Sequence, residues 1–178
     1  NNSTTSATIT APTTYTYTVK ALTTNDVIDN GDFENGNSGF SSGYGFLPPT
    51  PSAAWISGGV YTVLTSPSLV SSNFPPCSDH TTGSGEFMFV NSINNTGTIW
   101  CQTVNINPTS DYIWEFFING IGIVSAQLNV TIDGTFFNTY VGSAPGAGGC
   151  SWSGFSDIWM NPGLSSVEIC IENFNSSV

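Results

Sequence analysis

The chain has 178 residues, 39% of them hydrophobic and 13% aromatic, which excludes a disordered polymer and leaves room for one domain with a proper core. Lys20 is the only Lys or Arg, against twelve carboxylates, for a net charge of −11. So few cations exclude a nucleic-acid partner and binding to an anionic membrane surface, and they leave the carboxylates to water, hydrogen bonds or bound cations.

Residues 1–24 read as an N-terminal extension. A polar lead, Asn1 to Ser6, runs into an alternating, β-branched strand over 8–19 that is interrupted at Pro12. No local partner strand is expected, so this segment must add to the domain that follows, to a preceding domain or to another molecule. Residues 25–178 read as the domain proper. Its predicted first strand, Val27 to Phe33, leads through Asp32 and Glu34 into turns at Gly36, Gly39 and Gly43.

Two long irregular loops, 45–59 and 66–85, flank a strand at 60–64. Connections of that length usually bind something, and their aromatic residues are Phe46, Trp55 and Phe74. The alternative is that these rings cover one end of the core. From residue 86 the chain becomes regular, with strands expected at 86–91, 98–106, 111–119, 126–133, 135–141, 152–160 and 164–173. Asp133-Gly134 is a tight-hairpin signal. Leu128, Val130 and Ile132 alternate with polar residues, as in a strand with one buried face. About nine short strands and almost no helical periodicity predict an all-β sandwich.

Four cysteines without Cys-x-x-Cys spacing and a single histidine, His80, argue against zinc. They predict disulfides, expected as two local pairs, Cys77 with Cys101 and Cys150 with Cys170, each worth roughly 3 kcal/mol. An oxidising, extracellular location follows. No apolar run is long enough to insert in a membrane, and the chain reads as mature or as part of a longer protein. Asn1, Asn2, Asn94, Asn129 and Asn175 stand in glycosylation sequons.

The stretches Asn30-Gly31-Asp32-Phe33-Glu34, Gly39 to Tyr44, Asp79 to Gly85, Trp100 to Val104 and Ile169 to Asn173 together resemble carbohydrate-binding modules of the galactose-binding-like jelly-roll group. The closer resemblance is to such modules in large secreted surface proteins of gliding bacteria. The segment 8–19 is likewise similar to the last strand of their immunoglobulin-like repeats. The resemblance implies a two-sheet antiparallel jelly roll, no enzymatic activity and a structural calcium near the first strand, with Glu34 matching the usual carboxylate ligand. Such modules close with a further acidic strand, which this chain does not reach before Val178: either that strand lies beyond the given sequence or another fills its place, and the segment 8–19 is the expected substitute, in its own domain or in a neighbouring copy.

The oxygen-rich turns themselves make Asp32, Glu34 and Asp79 the candidate calcium ligands. A sugar would need exposed rings, and Tyr44, Phe46, Trp55 and Tyr61 are the candidates, whereas Trp100 and Trp114 share strand faces with apolar residues and are expected in the core. Asp79-His80 is the only acid–imidazole neighbour pair, with no nucleophile in a recognisable context, and hydrogen bonds that stabilise a turn are its expected role. No carboxylate pair stands in a glycosidase setting. Two functions remain: a non-enzymatic extracellular adhesin module that binds glycans, or a filament subunit joined to neighbouring copies by donated strands.

Overall fold

The computed structural model describes residues 5–10, 14–19, 26–56, 58–91, 97–120, 125–142 and 150–174. Among the described residues eleven strands run β1 (Thr5–Thr10), β2 (Thr14–Val19), β3 (Gly45–Phe46), β4 (Val60–Leu64), β5 (Phe87–Asn91), β6 (Gly97–Asn105), β7 (Tyr112–Ile118), β8 (Gln127–Ile132), β9 (Thr135–Val141), β10 (Ser153–Trp159) and β11 (Ser166–Asn173). The only helical pieces among the described residues are 3-10 turns at Ala53–Ile56 and Pro67–Leu69. The protein is therefore all-β, as its turn-rich composition dictates.

One layer of the sandwich is an antiparallel sheet in the order β6-β11-β8-β9. The facing layer comes in two pieces, β3-β4-β5 and β7-β10. Every pairing is antiparallel except β3 with β4. Between the layers lies a core that draws Tyr61 from β4, Trp100 and Val104 from β6, Trp114 and Ile118 from β7, Val130 and Ile132 from β8, and Val167 and Ile169 from β11. The alternation at 128–132 delivers Val130 and Ile132 to this core, and Trp100 and Trp114 are buried in it. The β8–β9 hairpin turns at Asp133 (φ 50°) and Gly134 (φ 71°), where an Asp-Gly pair meets the demand of a tight turn for two left-handed residues.

The long loops build a second core on the outer side of β4 and β5. Trp55, Val70 and Cys77 come down on Leu64, Phe87 and Phe89, with Phe74 and Trp152 at the border. This explains the run Phe87-Met88-Phe89-Val90, apolar on both faces. Phe87 and Phe89 face the loops while Met88 and Val90 pack on the main core.

Three expectations are corrected. Val27 to Phe33 is not a strand: the segment turns, with Asn30 (φ 53°) and Phe33 (φ 63°) left-handed. The Asn30 side chain donates to the carbonyls of Gly36 and Ser38 and accepts from Asn35 N–H, and this local bonding overrides the β preference of Val27 and Ile28. The segment 8–19 is not one unpartnered strand. The alternation on either side of Pro12 forms two strands, β1 and β2, which pair with each other from Thr5 opposite Val19 to Thr10 opposite Thr14. The disulfides join Cys77 to Cys150 and Cys101 to Cys170, not the local pairs. Cys101 and Cys170 are direct cross-strand partners on β6 and β11, while Cys77 lies in the loop that the start of β10 approaches. Strand order, not sequence proximity, sets the partners.

Candidate cleft between β5 and β7

The two pieces of the second layer end on open edges. Among the described residues β5 pairs only with β4 and β7 only with β10. Both edges border one cleft of about 750 Å³, lined by all of β5 from Phe87 to Asn91 and by Trp114 to Ile118 of β7. Its floor is the opposite sheet, with Ile99 and Trp100 from β6, Leu128 from β8 and Ile171 from β11. Two unpaired strand edges above an apolar floor expose backbone donors and acceptors beside hydrophobic side chains, the condition under which a sheet recruits another strand.

Trp114 sharpens the point. It is 9% exposed and lines the cleft, and its indole nitrogen is buried without a hydrogen-bond partner among the described residues. A buried, unpaired N–H costs about 1–3 kcal/mol.

The start of β5 is acidic. Glu34 Oε1 accepts from Glu86 N–H at 3.0 Å, and Asp32 Oδ1 accepts from Glu34 N–H at 3.3 Å. A β-carbon at Gly85 would overlap the Glu34 carboxylate unless that side chain moved aside. The Asp79 carboxylate takes Thr82 N–H at 2.6 Å, Gly85 N–H at 2.8 Å and the Thr82 hydroxyl. These bonds, the one from Thr82 N–H first, hold Asp79 below the usual carboxylate range against the opposing effect of desolvation. Asp32, Asp79 and Glu86 all line the cleft.

The three proposed calcium ligands do not converge. Among the described residues the one cluster of ligand-type atoms is Cys101, Glu168 and Cys170, and both of those sulfurs are spent in a disulfide. Asp32, Glu34 and Asp79 are instead each engaged by backbone N–H groups, so as arranged they do not form one ligand set. His80 does not pair with Asp79: its ring stacks on Phe117 with centroids 3.4 Å apart, while the carboxylate turns into the Thr82–Gly85 turn.

Of the four proposed sugar-binding rings, three are in the interior. Tyr44 packs against Gly97, and burial raises its phenol above the ordinary value, a hydrogen bond with Asn173 opposing the rise. Tyr61 is in the main core and donates its hydroxyl to Asn37 Oδ1 at 2.9 Å. Trp55, at 1% exposure, belongs to the second core beside Phe89, and its carbonyl receives a hydrogen bond from the Asn91 amide. Only Phe46, at 44%, meets solvent. The loops are long because they cover the outer face of β4 and β5, and their rings were drawn into that cover by the apolar area available there.

Sequence reasoning missed the cleft, and Met88, Val90 and Trp114 with it. The signal that could have found it was the pair of strands 87–91 and 112–118, each apolar beyond what one buried face requires, together with a β-rich segment left over at the N-terminus. No protein-family model matches the chain, and no curated protein matches it.

Proposed function

We propose that the chain is a non-enzymatic structural subunit of an extracellular filament, in which an extended N-terminal segment of one copy completes the interrupted sheet of the next. The observation that carries this reading is the cleft between the open edges of β5 and β7. The donor comes from the β1–β2 hairpin, which among the described residues pairs with no strand of the sandwich. An isolated two-stranded hairpin is marginal in water, so β2 exchanges a weak partner, β1, for two edges and an apolar floor. Each ladder hydrogen bond contributes about 0.5–1.5 kcal/mol net, and the buried apolar area adds to it. Donor and acceptor are different surfaces of one chain, so the contact is head-to-tail and propagates.

The two disulfides fit an oxidising, extracellular setting, and among the described residues no helix is long and apolar enough to cross a membrane. Glycan adhesion, the other function open from sequence, loses most of its support with Tyr44, Trp55 and Tyr61 buried. The test compares the intact chain with one lacking residues 1–24 by electron microscopy and size exclusion. Fibres form only from the intact chain, and the truncated chain, which accepts a strand but gives none, shortens them when mixed in. Monomers unaffected by truncation contradict the reading.

A further inference from the structure

Resting on the strand-donation reading, we infer that the donor has a fixed segment and polarity: residues 14–19 of a second copy run antiparallel to β5, and Lys20 of that copy comes to rest among Asp32, Asp79 and Glu86. Two observations meet here. An extended 14–19 segment presents Tyr15, Tyr17 and Val19 on one face and Thr14, Thr16 and Thr18 on the other, one apolar face for the floor and one polar face. Lys20, the single Lys or Arg of the chain, follows Val19 directly.

The acidic residues set the direction. Glu86 immediately precedes β5, Glu34 ties the Asp32 turn to Glu86 N–H, and Asp79 closes on Gly85. All of this sits at the Phe87 end of β5. A donor whose C-terminal residue is a cation is attracted to that end, so its chain runs from Asn91 toward Phe87, opposite to β5. The reverse entry would carry Lys20 away from these carboxylates, and a one-residue slip would put threonines on the floor. In a chain with one such cation, this pairing selects register as well as partner.

The test uses labelled synthetic peptides covering residues 13–21, with Lys20 or with Lys20→Glu, present in excess from the start of refolding of the full chain so that they compete with its own segment. Bound peptide is read by fluorescence anisotropy. The same pair is measured on a full chain carrying Asp32→Lys and Glu86→Lys, with its fold checked by circular dichroism. The expected result is about tenfold weaker binding of the Lys20→Glu peptide to the natural chain and an inverted preference on the charge-reversed chain. If both peptides bind equally to both chains, the Lys20 assignment is overturned and strand donation stands. If neither peptide binds to either chain, both fall.

Discussion

Trp55→Ala separates a core tryptophan from a sugar platform, and its cost follows from the structure. Trp55 is 1% exposed and packs in the second core, its ring centroid 5.5 Å from that of Phe89. A tryptophan that size buries up to about 250 Å², which at about 25 cal/mol per Å² corresponds to roughly 6 kcal/mol. The compactness of real denatured chains lowers this by about a quarter. Loss of the indole also removes a buried N–H that has no partner among the described residues, which returns about 1 kcal/mol. The net loss is about 3–4 kcal/mol, inside the usual range for such truncations, or roughly 6–16 °C in Tm for a chain of this size. Trp55→Phe keeps most of the apolar area and discards the unpaired N–H, so it costs less than about 1.5 kcal/mol. Urea unfolding of the three proteins with disulfides intact measures both numbers. A Trp55→Ala protein within about 1 kcal/mol of the parent would refute the second core.

Two further outcomes follow from the geometry. Peptide mapping without reduction is expected to find Cys77 linked to Cys150 and Cys101 linked to Cys170, and the Cys77→Ser/Cys150→Ser protein to lose about 4 kcal/mol, because that bond closes a loop of 73 residues; recovery of a Cys77–Cys101 peptide would overturn the strand order. Asp79 is held below the usual carboxylate range, so its contribution to stability is complete above the value it has in the unfolded chain and disappears as pH falls through its folded value. Asp79→Asn should therefore be less stable than the parent at neutral pH, with the gap closing in acid; a gap that stays constant across an acid titration would contradict the assignment.

How much the sequence discloses depends on what kind of force decides each element. Strands β4 to β11 were legible because local alternation and turn chemistry act within a few residues: 127–132 alternates cleanly, and Asp133-Gly134 satisfies its own turn. The first predicted strand failed where two local tendencies compete, Val27-Ile28 for extension and Asn30-Gly31 for turning, and the Asn30 side chain decides for the turn. Disulfide partners were not legible, because Cys101 meets Cys170 through the neighbouring positions of β6 and β11, which separations along the chain do not reveal. The burial of three of the four candidate sugar-binding rings was hidden for a related reason. Trp55 looks like a loop aromatic until Phe87 and Phe89 supply a surface for it to cover. The cleft itself is a property of strand order, an interruption between β5 and β7, and only the leftover alternating segment at the N-terminus hinted that something should fill it.

Because Lys20 is the only lysine, the central claim can be read from one cross-link. Chains grown in light and heavy nitrogen are mixed during refolding, joined with a zero-length carbodiimide and digested for mass spectrometry. Strand donation predicts mixed-isotope peptides that connect Lys20 to Asp32 or Glu86. Peptides joining Lys20 to these carboxylates only within one isotope would place the segment in its own domain and contradict the account.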